Sequence, residues 1–159
     1  MDDGVSNRRG IVTIGLVVLS LLAAACQSVE PEGSLVITTG TSFGECLGYC
    51  AHEIVIAETE IISTWFAYGG DEPEITETNG MAPNLWLSLV SVIDWPALEA
   101  LDDVLGCPDC MDGGAEWVLV VQGDREKKIT IEYGATVASI QPLIDAVREI
   151  RGRYPHPGS

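Results

Sequence analysis

Two pairs of cysteines are the residues of this sequence whose spacing most directly suggests chemistry. Cys46 and Cys50 stand at C-x-x-x-C spacing, and Cys107 and Cys110 stand at C-x-x-C spacing. Such thiols can form structural disulfides, hold a tetrahedral zinc ion, or exchange disulfides with another protein. Disulfides are favoured, because the N-terminus predicts export to an oxidising compartment. The glycines beside each pair permit tight turns and favour two local bridges over bridges between the pairs.

Zinc binding and thiol–disulfide exchange remain alternative readings of the same cysteines. A zinc site could use the four thiolates, with His52 as a substitute ligand. In an exchange protein, a C-x-x-C motif opens a helix, whose dipole stabilises the thiolate. The motif at Cys107 instead follows a predicted helix and runs into Gly113–Gly114. This context makes the exchange reaction the weaker interpretation.

Calcium binding and hydrolysis are weaker still. Calcium prefers carboxylate oxygens, and these concentrate in one region at Asp102, Asp103, Asp109, Asp112 and Glu116. Their spacing matches no EF-hand, and solvated surface carboxylates are the simpler interpretation. A Ser-His or Cys-His hydrolase would have to use His52, because the other histidine, His156, lies near the C-terminus. The sequence therefore predicts no catalytic residue and no firm metal ligand. It favours a protein that is not an enzyme over one that is.

The first 25 residues predict a signal peptide. Arg8 and Arg9 precede an apolar run, Ile11–Leu22, that is shorter than the roughly 20 residues a membrane span requires. The segment Leu22–Cys26 resembles the lipobox of bacterial lipoproteins, with Ala23 at the position that is usually leucine. The chain has five cysteines, and acylation of Cys26 leaves an even number for pairing. We therefore predict a lipid anchor at Cys26; cleavage to a soluble secreted form is the alternative.

The charge distribution excludes one class of partner. The formal net charge is −16, and no lysine or arginine occurs between Cys26 and Asp124. Such a surface repels phosphate backbones, so we expect no binding to nucleic acids. A surface for cationic partners is one interpretation, and solubility in a salty environment is the simpler one. The basic residues after Asp124 are expected to lie against the acidic body of the domain.

The organisation of the chain predicts one domain. After the signal peptide (1–25), residues 26–33 form a lipid-anchored tether, residues 34–152 a single α+β domain, and residues 153–159 a disordered tail. The first half of the domain contains a first strand at Ser34–Thr39, a hairpin over 53–68 and an acidic surface loop, Gly69–Gly80. The alternation of apolar residues in Asn84–Leu89 favours a further strand.

The second half of the domain predicts two helices and another hairpin. Asp94 is a candidate N-cap for a helix that Gly106 ends, and Ser139 is a candidate N-cap for a last helix. Between them, two β-branched segments flank Gly123–Asp124, which predicts a hairpin. The expected fold is therefore a small antiparallel sheet of hairpins with two helices packed on one face.

The two cysteine loops carry a resemblance to known sequences. The segments Phe43–Cys50 (FGECLGYC) and Gly106–Trp117 (GCPDCMDGGAEW) occur in the order strand, cysteine loop, hairpin, helix, cysteine loop, hairpin, helix. In this order and in these loops the chain resembles a group of uncharacterised bacterial secreted and lipoprotein domains, over nearly all of residues 34–152. The resemblance implies a fold layout and a location in the cell envelope. It implies no reaction and no catalytic residue.

Together these features predict a bacterial cell-envelope lipoprotein with a non-enzymatic binding or structural domain. Its expected partners are the membrane, through the lipid, and a protein or cell-wall component. Gln27, in the place where aspartate retains lipoproteins at the inner membrane, favours the outer membrane, with the domain facing the periplasm or the exterior. No cofactor is expected, unless zinc or calcium binds. The alternative is a redox or metal-binding module built on the four cysteines.

Overall fold

The computed structural model describes residues 33–67 and 73–156, which belong to one compact unit, Pro31–Ser159. The predicted signal peptide and the lipidation candidate Cys26 lie outside the described residues. The strands are β1 Leu35–Ser42, β2 Tyr49–Ile56, β3 Glu60–Ala67, β4 Ile75–Gly80, β5 Val104–Leu105, β6 Ala115–Gln122 and β7 Arg125–Glu132. The helices are α1 Pro83–Val90, α2 Trp95–Glu99 and α3 Gln141–Gly152, with short 3-10 turns at Cys110–Asp112 and Ala138–Ile140.

The strands of the described residues form one seven-stranded sheet in the order β4-β3-β2-β1-β6-β7-β5. All neighbouring strands are antiparallel except β5, which pairs with β7 in parallel. The predicted hairpins β2–β3 and β6–β7 are present, and Gly123 adopts φ +58° in the turn of the second, where a side chain would be disfavoured. The fold is α+β, as the sequence predicts.

The core lies on one face of this sheet. Alternate residues of each strand point to that face, and they include the fully buried Ile37, Ile54 and Val120. The helix α3 packs on them with an apolar stripe at helical spacing that is buried along its length, namely Leu143, Ile144, Val147 and Ile150. Burial of one such side chain contributes about 1.5 to 3 kcal/mol. The helices α1 and α2 add side chains to the same core.

The opposite face of the sheet carries half-buried apolar residues, such as Val36, Val55 and Leu119. In the described part of the chain, the helices contribute their buried residues to the other face. Within those same ranges, no helix combines the length and apolar character needed to cross a bilayer.

The prediction of a strand at Asn84–Leu89 is wrong, because this segment lies within the helix α1. Pro83 occupies the first helical turn, where its missing N–H costs nothing. Trp86 and Leu89, three residues apart, are buried in the core, whereas Leu87 is 67% exposed. The buried residues therefore follow the spacing of a helix, and the alternating pattern includes one leucine, Leu87, that faces solvent.

The acidic segment before α1 and the predicted helix after Asp94 also differ from expectation. Ile75–Gly80, predicted as part of a loop, forms the edge strand β4, where charged side chains are well tolerated. Asp94 caps α2 by accepting a hydrogen bond from the Ala97 amide at 3.0 Å, as predicted. The helix ends at Glu99 instead of reaching Gly106, because Lys127 donates hydrogen bonds to the Leu101 carbonyl and the Asp103 carboxylate and so holds the chain against β7.

The C-terminal helix begins differently from the prediction. Ser139 lies in a 3-10 turn, and among the described residues no side chain caps the N-terminus of α3. After α3, the segment predicted as a tail from residue 153 packs onto the domain as far as His156. Tyr154 contacts the core, and the His156 ring lies 4.6 Å from the ring of Tyr49. These aromatic contacts give the segment a place on the domain, and residues 157–159 lie outside the described part.

Candidate functional site

Each cysteine loop is closed on itself. Cys46 pairs with Cys50, with their Cα atoms 5.7 Å apart, and Cys107 pairs with Cys110 at 5.5 Å. The local pairing favoured by the neighbouring glycines is confirmed. Because each bridge spans only three or four positions, it constrains its own loop much more than the whole fold.

The two loops meet at one end of the sheet. The first follows Ser42 and the second precedes Ala115, and these two residues are paired between β1 and β6. The Gly44 amide of the first loop donates a hydrogen bond to the Asp109 carboxylate of the second at 3.2 Å. The ring of Phe43 meets the ring of Tyr133 edge to face, with centroids 4.9 Å apart. The loops therefore form one continuous surface, which we call the loop end of the domain.

The tips of both loops expose a large apolar side chain. Leu47 and Met111 are each 100% exposed. Met111 and its neighbours Asp109 and Asp112 have positive φ between 56° and 60°, a conformation that costs side-chain-bearing residues of order 1 kcal/mol each. Two exposed apolar side chains on loops that meet offer apolar surface that a partner could bury.

Behind the loop end, an open pocket of about 500 Å³ lies where α3 crosses the sheet. We call it the α3 pocket, and it is lined by Thr41, His52, Glu116, Tyr133, Arg148 and Arg151. Tyr133 also lines the depression beside the Cys107–Cys110 loop, so the pocket adjoins the loop end. The structure thus brings together two residues singled out from the sequence, His52 and Glu116.

Glu116 is the centre of a buried ion triad in this pocket. Its side chain is 3% exposed and accepts hydrogen bonds from two arginines of α3. Arg148 donates to it from Nε and Nη2, at 3.1 Å and 2.7 Å, and Arg151 donates from Nη2. Arg148 also donates to the Ala135 carbonyl at 2.7 Å, and Arg151 to the Thr39 hydroxyl at 3.0 Å. These bonds fix α3 on the sheet.

The ionisation of the triad follows from these contacts. Burial acts to raise the pKa of Glu116, but the hydrogen bonds and charges of Arg148 and Arg151 outweigh it and hold that pKa below its usual value. The hydrogen bonds to Glu116 raise the pKa of Arg148 above its ordinary value. The triad therefore carries two positive charges and one negative charge at neutral pH.

His52 occupies the wall of the pocket formed by β2. Its ring stacks on Trp65, with the centroids 4.7 Å apart and the planes 7° apart, and its Nε2 lies 2.8 Å from the Ser63 hydroxyl oxygen. Burial, and after it the charge of Arg151 and the neighbouring His156, together lower the pKa of His52 to about 4. The imidazole is therefore neutral at neutral pH.

Ser63 and His52 are the residue types of a hydrolytic serine–histidine pair, but the Ser63 hydroxyl is not accessible to a substrate. Ser63 has no exposed surface. A serine nucleophile must reach a substrate carbonyl carbon, and this hydroxyl cannot do so without movement of the sheet. The contact is better explained as a hydrogen bond that satisfies two polar groups in the core.

The carboxylates proposed for calcium do not converge. Glu116 contacts two arginines, Asp103 pairs with Lys127 at 2.6 Å, and Asp109 accepts the Gly44 amide. Asp112 lies exposed on the second loop. Across the described ranges, no group of three or more potential metal-ligating side chains is found.

The surroundings of the Cys107–Cys110 pair bear on thiol exchange. Asp109 and Asp112 lie within or beside the motif, and the Glu132 carboxylate accepts a hydrogen bond from the Cys107 amide at 2.8 Å. Negative charge destabilises a thiolate, which is the reactive form in exchange. This acidic setting favours a structural bridge over a redox centre.

A larger depression, of about 730 Å³, lies between α2 and the start of α3. Its charged groups are already engaged, because Asp94 caps α2 and Arg125 pairs with Glu99 at 2.8 Å while stacking 4.3 Å above the Trp95 ring. The smaller α3 pocket therefore holds the more distinctive chemistry.

The sequence motifs do not single out Arg148 and Arg151 as functional residues. A signal was present, because both lie four residues after an apolar position of α3, Ile144 and Val147, and so flank its buried stripe. Glu116 also shares the inward register of β6 with Val118 and Val120. A carboxylate and two arginines on facing apolar surfaces predict a buried ion pair.

Comparison with known proteins assigns no family. No protein-family model matches the sequence, and a search of the curated proteins finds no significant match.

The neutral His52 predicts a pH-dependent stability. Its pKa is about 4 in the folded protein and 6.5 as the ordinary value, so between these values the unfolded chain binds more protons. Stability should therefore fall as the pH drops from 6.5 towards 4.5, by about 1 kcal/mol, because solvent screens this half-buried ring. Urea unfolding of wild type and His52→Gln at several pH values measures the difference. A difference in stability between the two that does not change with pH would contradict the assignment.

Proposed function

We propose that this protein is an exported, non-enzymatic binding module of the bacterial cell envelope that presents its loop end to a protein or cell-wall partner. The observation that carries the proposal is the meeting of two disulfide-closed loops at one end of the sheet, each with a fully exposed apolar tip. Disulfides support export, since they persist in oxidising compartments.

The direction of β1 supports the proposal that the loop end is presented to a partner. The chain enters the sheet at Leu35, which pairs with Gln122 beside the far turn of the β6–β7 hairpin. The loop end begins after Ser42, roughly 23 Å away along an eight-residue strand. A lipid on Cys26, followed by an eight-residue tether that extends about 29 Å at most, would attach at the Leu35 end. The loop end would then remain accessible to a partner.

The acidic side chains around the two loop tips, which form the rim of the loop end, indicate which kind of partner surface would bind there. Glu45, Asp109 and Asp112 are exposed on the two loops around Leu47 and Met111. Apolar tips within an acidic rim suit a partner surface that combines apolar pockets with positive charge. The acidic side chains would speed association and select partners, and burial of the two apolar side chains would add to the affinity.

Site-specific photocrosslinking in the producing bacterium tests this proposal. A photoreactive amino acid at position 47 or 111 should yield a discrete covalent adduct. The same amino acid at position 87 is the matched control, because Leu87 is also an exposed leucine but lies on α1. Adducts at 47 and 111 that are absent at 87 would support the proposal. Equal labelling at all three positions, or none, would reject it.

A further inference from the structure

We propose that the α3 pocket binds a single carboxylate group. This inference goes beyond the proposed function, because it concerns a small-ligand pocket and does not depend on a partner at the loop tips. It starts from the charges of the pocket. Arg148 and Arg151 contribute two positive charges against the single negative charge of Glu116, and His52 is neutral. Among the residues that line the pocket, one positive charge is therefore in excess, and Asp145, whose negative charge also acts on Arg148, lies outside that lining.

The arginines also retain donors that the triad does not use. Within residues 33–67 and 73–156, Arg148 Nη1 and Arg151 Nε have no hydrogen-bond acceptor, and neither does the Thr41 hydroxyl. All three residues line the pocket. The arginine side chains are 25% and 12% exposed, so both are desolvated enough to bind an anion strongly yet open to the pocket.

The charges of the α3 pocket and of the whole chain indicate which class of ligand the pocket would bind. A cation would be repelled by the two guanidinium groups. The net charge of −16 opposes a multivalent anion, such as a phosphate ester chain, more strongly than a monoanion, and a monoanion matches the one excess positive charge of the pocket lining. A planar guanidinium pairs with a carboxylate through parallel hydrogen bonds. The carboxylate could belong to a free small acid or to the C-terminus of a peptide.

Calorimetric titration of the processed protein purified from the producing bacterium tests the proposal. The probes are N-acetyl-dialanine with a free carboxylate, the same dipeptide as its C-terminal amide, and acetate. We expect saturable binding of the free carboxylate and at least about tenfold weaker binding of the amide. Binding of acetate with similar strength would assign the site to free small acids, and binding of the dipeptide alone would assign it to peptide termini. Equal binding of the carboxylate and the amide, or no binding of any carboxylate, would overturn the proposal.

Variants locate the binding in the α3 pocket. Arg148→Gln should weaken carboxylate binding by about tenfold or more, because it removes a charged donor. Arg125→Gln makes the same charge change at an exposed arginine paired with Glu99, and it should leave binding unchanged. Wild-type affinity in Arg148→Gln would overturn the assignment to this pocket. If Arg148→Gln unfolds, as circular dichroism would show, the comparison of carboxylate with amide on the wild-type protein still tests whether the protein binds a carboxylate at all, and equal binding of the two would still overturn the proposal.

Discussion

Replacing Glu116 with glutamine is expected to destabilise the domain by about 3 kcal/mol. The substitution keeps the shape of the side chain but removes the negative charge that two arginines share. Loss of one partner from a buried ion pair leaves the other charge uncompensated, which typically costs 3 to 5 kcal/mol. The lower end of that range applies here, because Arg148 is 25% exposed and retains some contact with water.

Urea unfolding at pH 7 measures this effect against a matched control. Glu99→Gln removes the carboxylate of the exposed pair with Arg125, whose side chains are 54% and 49% exposed. Exposed pairs contribute about 1 kcal/mol or less, so Glu99→Gln should be nearly neutral. If Glu116→Gln were as mild as Glu99→Gln, the triad would not hold α3 on the sheet. The charge count of the α3 pocket would then need revision as well.

The hairpins of this fold were predictable because their signals are local. β-branched residues flanking Gly123–Asp124 specify both the strands and the turn within a short segment. The edge strand β4 had no such signal, since an acidic sequence becomes a strand here only through pairing with β3. The short β5 likewise depends on β7 and on Lys127, which lies over 20 residues later in the chain.

The helix α1 shows how one period can imitate another. Leu85, Leu87 and Leu89 alternate as in a strand, but Trp86 and Leu89 carry the buried surface and are spaced as in a helix. Pro83, at the first turn, was the informative residue. The position of a proline can therefore decide between two periods that the apolar residues alone leave open.

The candidate site was predictable only in part, because only its local features have a signal in the sequence. The local cysteine pairing follows from short spacing and adjacent glycines. The meeting of the two loops, and of Glu116 with α3, joins residues from distant parts of the sequence. Alternation along β6 places Glu116 on the inner face, but nothing in a single sequence pairs that strand with the helix that supplies the arginines.

From the lipid anchor that we propose at Cys26, we expect Cys26→Ser to move the protein from the membrane fraction to the soluble fraction. A single acyl chain holds a protein only marginally, whereas the two or three chains of a bacterial lipoprotein anchor it stably. Their complete loss should therefore reduce the membrane-bound fraction by more than about tenfold. Fractionation of the producing cells measures the change, and intact mass spectrometry of the membrane-extracted wild type should show the mass of the acyl groups.

The double variant Cys46→Ser, Cys50→Ser is the control for this experiment, because it removes two cysteines and leaves Cys26 in place. It should lose the first loop bridge and remain in the membrane fraction. A soluble wild type with an unmodified mature N-terminus would show that cleavage releases a secreted protein and would reject the lipid anchor. It would leave the loop end untouched as a binding surface, since photocrosslinking at Leu47 and Met111 does not require a membrane. The anchor and the binding surface are thus separable by experiment.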